Sequence, residues 1–338
     1  MAIHVLILAL SFVIILVGSE LFTNGVEWTG HRFAISEAAV GSLLAAVGTA
    51  LPETFIPAVA LLSADHNNAH SAVGVGAIIG APLMLSTVAM FVMGVAALVF
   101  RKRRDQVALK VDRDDIRRDL HFFLPIFLVL FVAGLLNLGP VLRHTLAFAL
   151  LALYGLYSFL MLRIKRSAGI ELDHGLYFEK IFRGNPFNPG LSATLAQVIA
   201  GVIAILVGSI VFVDQIILFS QHANLNPGVL SLILSPLATE LPEKYNSVVW
   251  IRQRKDRLAL ANITGAMVFQ SCIPVAMGLA FTPWHLTAPE RLGTVVALVS
   301  SGLLYINARD GELGAPTLLI GAGAYVVFLG GLSVLGMF

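Results

Sequence analysis

The feature that most constrains this chain is a succession of apolar runs, each about as long as a bilayer is thick. A hydrocarbon core needs about 20 consecutive apolar residues in a helix. Runs of that kind occupy about 3–22, 39–62, 71–99, 119–138, 140–162, 193–219, 226–251, 259–282, 290–307 and 313–337. Inside lipid every backbone N–H and C=O must be bonded within the protein, so such runs become helices. The expected fold is an all-α polytopic membrane protein with about ten transmembrane helices. Composition agrees: 57% of the 338 residues are hydrophobic and only 12% charged. That balance excludes disorder, a nucleic-acid module and a disulfide scaffold, and it argues against a soluble enzyme. The single cysteine, Cys272, allows neither an internal disulfide nor a thiolate metal site and reads as a small core side chain.

The first run reads as a span rather than a cleaved leader, because it lacks a basic n-region and a small-residue cleavage site. Lys and Arg set the orientation. Nineteen of them fall on the odd-numbered connections and two, Arg143 and Arg291, on the even ones; Lys244 lies inside a span. The odd connections are therefore expected in the cytoplasm and both termini outside, in the plasma or inner membrane. The basic stretch 101–118 reads as positive-inside anchoring. The long connection 163–192 is expected to be partly ordered, and no function is assigned to it.

The chain also repeats itself. VGSELF at 17–22 returns as VGSIVF at 207–212, and GSLLAAVGTALPE at 41–53 aligns with SLILSPLATELPE at 231–243, both at one and the same offset. Five spans per copy is an odd number, so the second copy enters the membrane from the opposite side. The expected organisation is a first inverted repeat over 1–162, a cytoplasmic connection over 163–192 and a second repeat over 193–338. Inverted repeats of this kind characterise secondary transporters, with the site near the midplane between the halves.

Each copy places a carboxylate deep in its second span, at Glu53 and at Glu243, where a charge is costly and marks an ion or proton path. Each follows a proline, Pro52 or Pro242, which removes a backbone donor and frees a carbonyl oxygen. Those carbonyls, the hydroxyls of Thr49 and Thr239 and the two carboxylates form a hard-oxygen set suited to Ca²⁺. One buried glutamate has a bland reading, a protonated and hydrogen-bonded side chain. Two at equivalent positions are harder to explain that way.

GTALPE (Gly48–Glu53) and ATELPE (Ala238–Glu243) resemble the two alpha-repeat signatures of the cation/calcium exchanger superfamily, closest to its sodium/calcium exchanger branch. GAIIGAP (Gly76–Pro82), ANITGAM (Ala261–Met267) and VGSELFTNGVE (Val17–Glu27) add to the likeness. The resemblance implies ten helices, outside termini and alternating access to one ion site. It also implies that Glu53 and Glu243 are the central cation ligands. Thr49 and Thr239, with the carbonyls of Ala46 and Pro236, match flanking sodium positions, and spans 1 and 6 become sliding gate helices.

The chain departs from the family pattern where serines are expected, at Ala50, Glu240, Ala81 and Ala266, and again at Leu85 and Gln270. Gln270 stands where the second repeat carries an acidic ligand. Several sodium-holding oxygens are thereby missing, while a divalent site on two carboxylates survives. Glu240 and Lys244 are additional and stand at i and i+4, so they can pair on one helical turn. Two readings stay open: a buried neutralising pair, or Glu240 as a third ligand or proton carrier whose charge Lys244 sets.

Lesser features carry less. Asp65, His66 and His70 in SADHNNAH read as a polar external turn, with ion capture as the alternative. Glu20 and Asp214 stand near helix ends, as entrance guards or interfacial residues. Trp250 and Trp284 read as interfacial anchors. GVGAIIG (Gly74–Gly80) reads as close helix packing rather than a dinucleotide fingerprint. No enzyme motif and no cofactor are expected, since the metal ion is cargo. The resulting expectation is an antiporter exchanging a divalent cation, most plainly Ca²⁺, for Na⁺ or H⁺. Its partners would be inorganic cations and the bilayer, not nucleic acid, and a monomer is compatible with this. A passive channel and a non-transporting homologue are the alternatives.

Overall fold

The computed structural model describes residues 2–32, 50–63, 68–104, 108–110, 113–163, 175–181, 185–308 and 312–337. The helices, in chain order, are α1 (Ala2–Arg32), α2 (Leu51–Leu62) and α3 (Asn68–Met84), which runs through a π-helical turn (Leu85–Ala89) into α4 (Met90–Val99). Next come α5 (Arg101–Arg104), α6 (Arg113–Leu135), α7 (Pro140–Arg163), α8 (Tyr177–Ile181) and α9 (Leu191–Ala223). The chain closes with α10 (Pro227–Thr239), α11 (Leu241–Arg252), α12 (Asp256–Phe281), α13 (Ala288–Asn307) and α14 (Ala315–Val334).

The all-helical membrane fold is as expected. Among the described residues, seven helical segments are each long and apolar enough to cross a bilayer: α1, the α3–α4 rod, α6, α7, α9, α12 and α14. The remaining expected spans are not all simple. The run at 226–251 is not one helix but two, α10 and α11, meeting at Glu240. Only the second part of the run at 39–62 lies within the described residues, as α2. Lipid-facing surface follows from the side chains: Leu6, Leu10 and Val13 on α1, Phe148 on α7 and Val326 and Val327 on α14 all point outward.

The helices that carry the Leu-Pro-Glu motif keep the offset of the sequence motifs. α2 and α11 have the same 12-residue length, and both their starts (Leu51, Leu241) and their ends (Leu62, Arg252) are separated by it. The starts of α6 and α13 are closer together than that, and those of α7 and α14 share the shorter separation. The second copy is therefore the more compact one between the start of its third element and the start of its fourth.

Two helix pairs hold the bundle together. α1 and α9 lie antiparallel: Gly25 meets Val198, Phe22 meets Gly201, and Ile15 meets Gly208. Gly201 is required there, because a Cβ would stand 2.7 Å from the Phe22 backbone nitrogen. At about 1.5 Å per residue, these helices of 31 and 33 residues are longer than the bilayer core is thick. α3 and α10 run parallel, with Gly76 against the Gly228 carbonyl and Gly80 against the Leu232 carbonyl. Ser231 Oγ donates to the Val73 carbonyl at 2.7 Å across the same seam. The small residues of GVGAIIG thus serve helix approach.

Polar ties close the loops. Leu109–Lys110 and Glu312–Leu313 form a two-stranded antiparallel ladder, and the Lys110 N–H donates to Asp256 Oδ2 at 3.0 Å. Within the connection 163–192, α8 is strapped to α1 and α9. The Tyr177 N–H donates to Asn24 Oδ1 at 3.3 Å, the Phe178 N–H to Gln197 Oε1 at 2.9 Å, and Tyr177 Oη to Glu20 Oε1 at 2.6 Å. Burial, and then the adjacent Glu20 carboxylate, raise the Tyr177 phenol above its ordinary value. Trp284 is a correction. It is buried rather than interfacial, its ring against Gly278 and its Nε1–H donating to the Leu130 carbonyl at 3.2 Å.

Candidate ion-binding site

The site starts from a backbone accident repeated twice. Ala50 has φ −89° and ψ 7°, and Glu240, its equivalent in the second copy, has φ −87° and ψ 9°. Each immediately precedes a helix whose second residue is proline, Pro52 or Pro242. Proline is tolerated in a first helical turn because the N–H it lacks would be unbonded anyway. Both glutamates therefore sit in a first turn, Glu53 in α2 and Glu243 in α11, where aligned peptide dipoles favour negative charge. Pro242 also leaves the Ala238 carbonyl without its usual helical donor. The carbonyl of Pro236, by contrast, accepts the Glu240 N–H at 3.1 Å.

The structure buries these groups inside the bundle. Glu240 and Glu243 are 0% exposed, Glu53 4% and Thr239 1%. The Glu53 carboxylate stands beside Thr239 and within electrostatic reach of Glu240 and Lys244, so α2 is brought against the junction of α10 and α11. Among the described residues neither oxygen of Glu53 has a hydrogen-bond partner. Taking a carboxylate out of water without pairing it is expensive, so this position calls for a cation or a proton. Thr239 Oγ donates to the Ser235 carbonyl at 3.1 Å, leaving its lone pairs available as acceptors.

Glu240 and Lys244 do meet, with Lys244 Nζ 3.2 Å from Glu240 Oε2 and both side chains buried, a contact compatible with either of the two readings. Gln270 is fully buried on α12, the helix packed against α2 and α3, and its amide N and O have no partner among the described residues. Thr49, Ala46, Asp65 and His66 lie outside the described residues. His70 is buried on α3. Glu20 and Asp214 are exposed on α1 and α9, remote in sequence from both helix breaks.

Among the described residues no three His, Cys, Asp or Glu side chains gather closely enough to hold a metal ion by themselves. The oxygen set has to combine carboxylates with hydroxyl, amide and carbonyl groups, a composition that suits a hard cation and not Zn²⁺. Three nearby polar residues are not evident from the repeat motif alone. Ser231 and Ser235 share a 2.8 Å hydrogen bond along α10, and their i, i+4 spacing ahead of ATELPE is the signal that would have found them. Tyr325, the one tyrosine of α14, lies within electrostatic reach of Glu240.

Carboxylates buried at a pair of equivalent helix breaks inside an all-helical membrane bundle define an ion transporter. Comparison with known proteins agrees. Residues 3–163 and 193–334 match the family described as sodium/calcium exchanger protein, and the chain belongs to that family. It is 24% identical to an uncharacterized membrane protein of Methanocaldococcus jannaschii, over 96% of each chain. Among solved structures it resembles the H⁺/Ca²⁺ exchanger CAX, with TM-score 0.75, 16% identity and coverage of 97% of this chain and 81% of that one. It also resembles the sodium-calcium exchanger NCX_Mj, with TM-score 0.62, 21% identity and coverage of 98% and 99%. At these identities the structural likeness is one of fold. The chain is an integral membrane protein of a transporter family whose substrates are inorganic cations.

Proposed function

We propose that this protein is a secondary antiporter that exchanges Ca²⁺ for Na⁺ or H⁺ by alternating access. One observation carries the reading: Glu53 and Glu243 occupy the same buried first-turn position of two helices of equal length, one in each copy of the repeat. Thr239 and, by the motif, Thr49 add hydroxyl oxygens, and Gln270 offers a buried amide that has no partner among the described residues. Glu240 belongs to the same cluster through its pairing with Lys244.

The halves are read as inverted repeats, 1–162 and 193–338. The matched α2 and α11, and the antiparallel packing of α1 on α9, support this. α1 and α9 would slide as gates over the core of α2, α3 and α10–α12. The membrane is the plasma or inner membrane with both termini outside, which the basic residues on odd connections support. The structural relatives are named for different counter-ions, H⁺ in one and sodium in the other, so each coupling has a precedent in this fold.

The test is ⁴⁵Ca²⁺ uptake into proteoliposomes against an outward Na⁺ gradient or an outward H⁺ gradient. Uptake driven by one of them, and lost in Glu53→Gln and Glu243→Gln, is the expected result. Uptake with neither gradient would identify a channel.

A further inference from the structure

The repeat-equivalent turns differ in one respect that their backbones do not require. At the first, Ala50 and Thr54 are uncharged, and Thr54 Oγ donates to the Ala50 carbonyl at 3.1 Å. At the second, the same positions are Glu240 and Lys244, an ion pair of 3.2 Å with both side chains buried. Since Ala50 takes up nearly the same φ and ψ as Glu240, the ion pair is not needed to make the turn. Nor is it explained by stability. An ion pair buried at this depth gains little over an apolar pair of the same volume, because desolvation consumes the attraction.

Its placement is informative. The Glu240 carboxylate interacts with both Lys244 and Glu53, and Lys244 with both Glu240 and Glu53. The ammonium therefore stands among the oxygens that would face a transported ion. Lys244 is also the one Lys or Arg that the sequence places more than a helical turn inside a span.

We propose that Lys244 is a tethered cation that permanently fills one monovalent-cation position of the exchange site. This rests on the exchange reading above. With Glu240 held neutral by its own lysine, Glu53 and Glu243 leave two negative charges to be balanced. One divalent cation satisfies them on one half of the cycle and two monovalent cations on the other. Exchange then moves no net charge, and the membrane potential neither drives nor opposes it. Removing the ammonium adds one carboxylate charge beside Glu53; three monovalent cations then neutralise the site on one half of the cycle, while a single divalent cation leaves one negative charge over on the other, so the exchange carries one charge per divalent ion.

The experiment reconstitutes the full chain in liposomes with the potential set by K⁺ and valinomycin. It records ⁴⁵Ca²⁺ flux and charge displacement together. The wild-type protein is expected to give gradient-driven flux without charge displacement. Lys244→Met is expected to give one charge per Ca²⁺, and the paired change Glu240→Gln with Lys244→Met to return to none. If Lys244→Met does not fold, the wild type and the double variant still decide. Coupled wild-type flux that carries charge overturns the inference alone, as does electroneutral flux in a folded Lys244→Met or charge displacement in the double variant. Absence of coupled flux in the wild type overturns the exchange reading and this inference with it.

Discussion

The turn before α2 and the turn before α11 are built alike and charged differently. Both place proline second and glutamate third in a 12-residue helix, behind a residue whose φ and ψ are almost the same in the two copies. The lesson is that the backbone break and the charge around it are separate inventions. The break needs only Leu-Pro-Glu, because proline in a first turn loses nothing and the glutamate gains from the helix dipole. The charge is set by residues on either side of that motif, Ala50 and Thr54 in one copy and Glu240 and Lys244 in the other.

Substitutions break or sharpen this comparison, in decreasing order of effect. Glu53→Gln and Glu243→Gln should each abolish Ca²⁺ flux, and equally, because each carboxylate supplies half of one site. A tracer assay that finds one variant inactive and the other near normal would make the halves functionally unequal. Lys244→Met should destabilise the protein by about 3–5 kcal/mol, since it leaves Glu240 buried and uncompensated. The uncharged double change should recover most of that, as read by thermal unfolding in detergent. Gly76→Ala should cost about 1–3 kcal/mol, because its Cβ would meet the Gly228 carbonyl and force α3 away from α10. The same melting assay reports it, and a neutral result would mean the seam has slack. Tyr177→Phe removes the 2.6 Å hydrogen bond to Glu20 at the edge of the bundle. It should cost about 1 kcal/mol or less and leave Ca²⁺ affinity unchanged, which separates the α8 strap from the site.

Much of this was legible in the sequence because it is local or periodic. Apolar runs of bilayer length foretold the helices, the constant offset between the two motif pairs foretold matched α2 and α11, and the i, i+4 spacing of Glu240 and Lys244 foretold their pairing. What was not legible depends on contacts between distant segments. Trp284 next to Pro283 looks like an interfacial anchor until the Leu130 carbonyl on the distant α6 takes its Nε1–H and its ring folds back on Gly278 of the preceding α12. The ladder joining Leu109 to Leu313 reaches across more than half of the chain, and strands of two residues leave no periodic signature. The 226–251 run reads as one span because hydropathy does not register a break at Glu240. Tyr325 was invisible because only the packed bundle brings α14 toward Glu240.

The central claim is that the two halves build one divalent-cation site between them. Equilibrium binding of ⁴⁵Ca²⁺ to the purified protein, to Glu53→Gln and to Glu243→Gln tests it most directly. The account predicts one ion per chain for the wild-type protein and none for either variant. Unchanged affinity in either variant would place the ion elsewhere and contradict it.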